Sequence, residues 1–223
     1  MGRRRDAGGG VGGRCVGTRC TGECGVMNYY QDRPIDLNAV LNFDAFLRYA
    51  EKVALLSLVM GLQPKRILEI GTAKGGAARV LVYGLDWLCN DGVLVCVDPE
   101  PSWPEEVKYS IQHRAKLVIG YSPAALREAH QMAGGDFNLV FVDGEHTLQA
   151  VLDDAHGVLP LCEKGAWIVF HDALYHPVWT AIKSLIGKPR LRNVGWLSTH
   201  SIYHVEDGEE QTRGGLYCLE VVE

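Results

Sequence analysis

The chain has 223 residues, of which 47% are hydrophobic, and it carries a formal net charge of −5. This length and apolar content suit one well-buried domain and are short for two. The negative charge argues against a general affinity for nucleic acid, which needs a basic surface. No apolar run approaches the roughly 20 residues that a membrane span requires, so we expect no insertion into a membrane.

Residues 1–26 form a glycine- and arginine-rich head. It holds five arginines against two acids, together with Cys15, Cys20 and Cys24. The cysteine spacing does not match a zinc knuckle, and the segment lacks the apolar stretch of a secretory signal. We therefore predict a disordered head over 1–26 and a single domain over 27–223. The other cysteines lie in apolar runs and are expected to be reduced, which favours a cytoplasmic protein.

Short apolar runs alternate with helical patterns through the middle of the chain. Apolar residues at helical spacing predict a first helix over 38–60, ended by Gly61 and Pro64. The predicted strands after it are 67–71, 93–98, 116–120, 138–143 and 166–171. The predicted helices between and after them are 76–89, 104–114, 123–132, 147–159 and 177–186. This alternation predicts an α/β fold, Rossmann-like and doubly wound, with a mostly parallel sheet covered on both faces.

The end of the chain follows a different pattern. Residues 196–205 and 216–222 are strand-like and flank the polar segment DGEEQTRGG, with no helix between them. They predict an antiparallel hairpin that completes a seven-stranded sheet. This hairpin and the 38–60 helix also offer surfaces for a homo-oligomer.

The first strand leads directly into a glycine turn, in the segment RILEIGTAKGG. Gly71 allows backbone angles that other residues avoid, and Gly75 permits close approach of a ligand. Because position 73 is Ala and no Lys-Ser/Thr pair follows, neither the dinucleotide fingerprint nor the P-loop is present. A crevice for a nucleotide-like ligand at this strand end is predicted, with an ordinary tight turn as the alternative. The residues expected around that ligand are Glu69, Gly71, Thr72, Ala73 and Gly75.

Two further strand ends extend the predicted site. Asp98, followed by Pro99, can accept hydrogen bonds from the two hydroxyls of a ribose, with Glu100 as a substitute for the same role. A simple Asp-Pro turn is the alternative for Asp98. The turn after the third strand contributes Gly120, Tyr121 and Ser122. A helix N-cap is an equally good role for Ser122.

The segments LEIGTAKGG, VCVDPE, VIGYS, FVDGEH and GAWIVFHD together resemble the class I S-adenosylmethionine (SAM)-dependent methyltransferases, over residues 66–172. The longer run from FVDGEH to GAWIVFHD is similar to the branch that contains the cephalosporin-hydroxylase-like and catechol O-methyltransferase-like enzymes. The resemblance implies SAM as cofactor, with its ribose on Asp98. It also implies that the adenine lies beside the turn of Gly120, Tyr121 and Ser122, and that the reaction is O-methylation, often with Mg²⁺.

The resemblance also implies that the fourth and fifth strands are neighbours, so that Asp143 and Asp172 lie side by side. Two such carboxylates repel each other unless something positive lies between them, and Mg²⁺ meets that need. His171 is a further candidate metal ligand. The alternative is that Asp172 caps the next helix and Asp143 binds the ligand's amine or a water. His146 stands where catechol-type enzymes carry a lysine base, and imidazole suits proton removal at neutral pH.

The sequence therefore predicts a SAM-dependent O-methyltransferase that acts on a hydroxyl of a small molecule. Mg²⁺ is expected on Asp143, Asp172 and His171, and His146 is the expected base. One alternative is a metal-independent or catalytically silent SAM-binding protein. A nicotinamide-dependent reductase is disfavoured because the glycine fingerprint and a Tyr-x-x-x-Lys pair are both missing.

Overall fold

The computed structural model describes residues 34–206 and 209–222, so the predicted head at 1–26 lies outside the described residues. The strands are β1 Arg66–Ile70, β2 Val93–Asp98, β3 Ala115–Ile119, β4 Phe137–Val142, β5 Cys162–Phe170, β6 Leu191–Glu206 and β7 Glu209–Val221. The helices are α1 Leu37–Leu41, α2 Tyr49–Leu62, α3 Gly76–Leu88, α4 Glu105–Ile111, α5 Leu126–Ala133, α6 Leu148–Val158 and α7 His176–Leu185. None of these helices is both long and apolar enough to cross a bilayer.

The seven strands form one sheet in the order β3-β2-β1-β4-β5-β7-β6. Strands β1 to β5 pair in parallel, whereas β7 is antiparallel to both β5 and β6. The predicted Rossmann-like sheet with an antiparallel hairpin is therefore confirmed. Alternate residues of β1 point to opposite faces, as the strand geometry requires. Leu68 and Ile70 pack in a core with α5, α6 and α7, and Ile67 packs with α2 and α3.

The single helix predicted over 38–60 is wrong, because the structure has two helices with an irregular segment between them. The chain leaves α1 after Leu41, and α2 begins only at Tyr49. The Lys52 ammonium donates hydrogen bonds to the carbonyls of Leu41 and Phe43, which satisfies the backbone at the end of α1. The Glu51 carboxylate accepts a hydrogen bond from the amide of Arg48, the N-cap residue of α2. Apolar spacing alone does not reveal such caps.

The hairpin strands are longer than predicted, because most of the segment DGEEQTRGG is part of β7. The pairing continues outward through Tyr203 and Thr212 as far as Glu206 and Glu209. Three register shifts interrupt it, the last between Ser198 and the next paired residue. A strand with a solvent-exposed face tolerates polar residues there, so the polar composition of this segment wrongly indicated a loop. The other predicted elements are of the right type, with ends displaced by a few residues.

The register brings four strand ends to one edge of the sheet. Ile70 of β1 pairs with Val97 of β2 on one side and with Val142 of β4 on the other. Val142 in turn pairs with Phe170 of β5. The loops that follow these four strands therefore converge, and they form the candidate site.

Candidate functional site

The glycine turn after β1 is shaped by its contact with the end of β4. Gly71 has φ +81°, and its amide donates to the carbonyl of Val97. A Cβ atom at position 71 would lie 2.1 Å from the carbonyl oxygen of Asp143. Gly75 also has a positive φ, of +76°, and forms the N-cap of α3. Both glycines are therefore required by backbone geometry.

Asp98 holds the glycine turn in place. One of its carboxylate oxygens, Oδ2, accepts hydrogen bonds from the amides of Thr72 and Ala73, at 2.9 and 2.8 Å. The other oxygen, Oδ1, accepts from the amide of Glu100, just beyond Pro99. Sequence reasoning assigned these oxygens to a ribose and missed their backbone partners. The ribose contact stays a prediction, and the structure adds a positioning role for this acid.

The turn predicted to border the adenine lies after β3. None of Gly120, Tyr121 and Ser122 lines the cavity of about 510 Å³ at the carboxyl edge of the sheet, and Tyr121 is 70% exposed. The alternative N-cap role for Ser122 is wrong, because α5 begins later, with Ala125 at its N-cap. The adenine contact of this turn stays a prediction.

A cavity of about 510 Å³ opens at the carboxyl edge of the sheet. This volume lies in the range of small-molecule and cofactor sites. Its lining residues come from the segment between α1 and α2, from β1 with the glycine turn and the start of α3, from the loops after β4 and β5, and from the hairpin. They include Asp44, Arg48, Glu69, Gly71, Thr72, Ala73, Asp143, His146, His171, Asp172 and Arg213.

Glu69 is a buried acid in the wall of this cavity. Glu69 is only 1% exposed, and neither of its carboxylate oxygens has a hydrogen-bond partner among the described residues. Burial raises the pKa of Glu69 to about 7, although the nearby Cys96 and Thr72 side chains partly offset this. A buried acid without a partner beside a cavity is suited to receive a donor group or a positive charge from a bound ligand.

The predicted catalytic and metal-binding residues come together on one side of the cavity. Asp143, His146, His171 and Asp172 each offer one ligand atom, and these four atoms all lie within 4.8 Å of one another. His171 Nδ1 lies 2.8 Å from Asp143 Oδ1. His146 Nε2 lies 3.5 Å from that same oxygen and 3.3 Å from Asp172 Oδ2. The predicted proximity of the two aspartates is thus confirmed.

Charge within this cluster is balanced by its histidines. Burial acts to lower the pKa of His171, but Asp143, Glu51 and Asp172 together outweigh burial and raise that pKa well above its usual range. Burial likewise acts to raise the pKa of Asp143, yet the charges and hydrogen bonds of His171 and His146 together hold it below its ordinary value. Without any cation, the side chains therefore favour a positively charged His171 beside ionised Asp143.

Asp172 has an unusual backbone conformation, with φ +49°. Its Oδ1 accepts a hydrogen bond from the amide of Gly214 on β7, and its Oδ2 lies 3.8 Å from the guanidinium of Arg213. The proposed helix-cap role for Asp172 is wrong, because Tyr175 is the N-cap of α7. The carboxylate of Asp172 is directed into the cluster instead.

Sequence reasoning missed Glu51, which is fully buried and lies 3.4 Å from His171 Nε2. A signal was available: Glu51 lies four residues before Leu55 and eight before Val59, and both of these are buried. Four-residue spacing puts all three on one face of a helix. A charged residue on an apolar face indicates a buried partner.

The residues present fit both groups that the resemblance implies. The cavity is large enough for a small cofactor, and the unpartnered Glu69 carboxylate offers an acceptor for a cationic amine. Asp143 and Asp172 offer the oxygen atoms that Mg²⁺ prefers. His171 and His146 add nitrogen donors to this cluster.

Comparisons with known proteins agree with this architecture. Residues 68–173 match the model of a methyltransferase domain. A catechol O-methyltransferase of Mycobacterium tuberculosis is 31% identical over 102 residues, which span 43% of this chain and 44% of that relative. The O-methyltransferase TomG of Streptomyces achromogenes, solved with SAM, superposes with a TM-score of 0.62 at 21% identity, covering 86% of this chain and 92% of TomG. The methyltransferase MycE of the mycinamycin pathway, solved with Mg and SAH, superposes with a TM-score of 0.55 at 17% identity, covering 86% of this chain and 54% of MycE.

The fold, the glycine turn and the matched domain define the class of this protein. Residues 68–173 match a methyltransferase domain, and the fold is the Rossmann-like fold of the class I SAM-dependent methyltransferases. This classification sets aside the nicotinamide-dependent reductase.

Proposed function

We propose that this protein transfers the methyl group of SAM to a hydroxyl oxygen of a small molecule, with the help of a divalent cation. The observation that carries the proposal is the cluster of Asp143, His146, His171 and Asp172 beside the glycine turn. The catechol O-methyltransferase relative supports an oxygen acceptor. MycE, whose structure contains Mg, supports a cation.

In this proposal, each residue of the cluster has a separate role. SAM supplies a methyl group on a positively charged sulfur, and a divalent cation supplies stabilisation of an ionised acceptor oxygen. Asp143, Asp172 and His171 would hold the cation. His146, whose Nε2 has no hydrogen-bond partner among the described residues, removes the hydroxyl proton through that nitrogen. The cavity walls align acceptor and donor and exclude water, which favours a displacement that neutralises charge.

A metal-independent methyltransferase is the second candidate, and one observation favours it. The ring of His171 lies between two carboxylates, with Nδ1 near Asp143 and Nε2 near Glu51. A charged imidazole there neutralises the acidic cluster without a cation.

The test begins with calorimetric titration of SAM into the full chain, with Mg²⁺ and again with EDTA. Formation of S-adenosylhomocysteine is then followed over a panel of catechols, simple phenols and sugars. Turnover that EDTA abolishes and that Mg²⁺ or Co²⁺ restores supports the main proposal. Turnover unaffected by EDTA supports the metal-independent candidate. SAM binding without turnover, unchanged in Asp143→Asn, supports a catalytically silent protein, and absence of SAM binding contradicts all three.

We further propose that the protein is cytoplasmic and acts on small molecules. The cysteines of the described part, Cys89, Cys96, Cys162 and Cys218, are free thiols, which suits a reducing compartment. The acceptor fits the cavity if it is a single-ring or similarly small compound. A homo-oligomer stays a prediction, to be checked by light scattering of the purified protein.

A further inference from the structure

Glu51 joins three parts of the fold through one carboxylate. It belongs to α2, and its residue is fully buried. One oxygen, Oε1, accepts a hydrogen bond of 2.7 Å from the amide of Gly215 on β7. The other, Oε2, accepts from the amide of Arg48 at 2.7 Å and faces His171 Nε2 at 3.4 Å. Because two backbone amides donate hydrogen bonds to this carboxylate, its position does not depend on the contact with His171.

This arrangement decides which nitrogen of His171 faces the site. With Nε2 directed at Glu51, the other nitrogen, Nδ1, points to the side where Asp143, His146 and Asp172 lie. Histidines that bind metals in proteins usually donate their second ring N–H to a carboxylate or carbonyl, which fixes the ring and its tautomer. His171 is placed in the same way, with Nε2 facing the Glu51 carboxylate and Nδ1 facing the cluster.

We propose that Glu51 is the positioning residue of an imidazole–carboxylate metal site, in which His171 Nδ1 is a ligand beside Asp143 and Asp172. The site therefore selects a first-row transition-metal dication over Mg²⁺. This inference rests on the proposed function in one respect, namely that the cluster binds a cation. It differs from the all-oxygen site that Mg²⁺ prefers, because an imidazole nitrogen favours ions such as Co²⁺.

The experiment measures cation binding directly and needs no turnover. Co²⁺ and Mg²⁺ are titrated into the full chain by calorimetry, and visible absorption of bound Co²⁺ reports the ligand set. The variants are Glu51→Gln, His171→Ala, their double mutant, and Asp172→Asn. Lys52→Met is the matched control, because Lys52 is a buried ionisable residue of the same helix whose ammonium contacts backbone carbonyls instead of His171.

We expect the wild type to bind Co²⁺ at least about tenfold more tightly than Mg²⁺. Glu51→Gln should weaken Co²⁺ binding by about 10- to 100-fold, as loss of such a partner usually does. The double mutant should bind Co²⁺ no more weakly than His171→Ala, because Glu51 acts through His171. Lys52→Met should bind Co²⁺ as the wild type does.

Two outcomes overturn the inference in distinguishable ways. If the wild type and Asp172→Asn both fail to bind either cation, the cation part of the proposed function fails and the inference fails with it. If the wild type binds and Glu51→Gln matches it, only the inference fails. Should Glu51→Gln not fold, ¹⁵N NMR of wild-type His171 with bound Zn²⁺ decides the matter. A proton on Nε2 and none on Nδ1 supports the inference, and the reverse overturns it.

Discussion

Replacement of Glu69 by glutamine should change how stability depends on pH. The pKa of this buried acid is raised from 4.5 to about 7 in the folded protein, chiefly by loss of hydration. Between these values the folded state binds more protons than the unfolded state, so its stability falls as the pH rises. The linkage relation gives a cost to the wild type of about 1 kcal/mol at pH 5 and about 3 kcal/mol at pH 8.

The glutamine side chain has nearly the same shape as that of glutamate and no charge, so the Glu69→Gln variant escapes this cost. The difference in unfolding free energy, variant minus wild type, should therefore increase by roughly 2 to 3 kcal/mol between pH 5 and pH 8. Urea unfolding of both proteins without SAM, at half-unit pH steps, measures it. Any constant cost of the new amide cancels in this comparison. A difference that does not change with pH would refute the assignment of a raised pKa to Glu69.

Other variants test the glycine turn and the proposed base. Gly71→Ala should abolish SAM binding and destabilise the fold by more than about 3 kcal/mol, since the new methyl group would collide with the Asp143 carbonyl; calorimetry and thermal unfolding measure both. Asp98→Ala leaves two amides of the turn without their acceptor, so SAM affinity should fall about tenfold or more, and unchanged affinity would contradict this role. His146→Ala should lower turnover about 10²- to 10⁴-fold with SAM affinity retained, whereas the exposed His156→Ala should match the wild type in both.

The sequence was sufficient to predict the fold and the residues of the cluster for a physical reason. Parallel strands end at one sheet edge, and the resemblance implied that the fourth and fifth strands are neighbours, so Asp143 and Asp172 were expected to lie together. The position of an acid at a strand end is readable from the apolar run before it. The direction of a carboxylate is not, because it depends on which amides lie within reach. Asp98 illustrates this, since its oxygens are occupied by the turn after a different strand and by its own loop.

The segment between α1 and α2 could not be predicted from periodicity. Its apolar residues continue the helical spacing, yet Lys52 and Glu51 form hydrogen bonds that favour an interruption there. The interruption places residues such as Asp44 and Arg48 in the cavity wall. Helix propensity is a weak preference of tenths of a kcal/mol per residue, and a few buried hydrogen bonds outweigh it.

The position of β7 affects the order in which the site can assemble during synthesis. This strand follows β6 in the chain but lies between β5 and β6 in the sheet. Its Gly214 and Gly215 amides hold Asp172 and Glu51. A ribosome-bound chain that has released β1 to β5 therefore has an open β5 edge and an unanchored acidic pair. Any cation affinity that depends on this pair would therefore arise only after β7 has inserted beside β5.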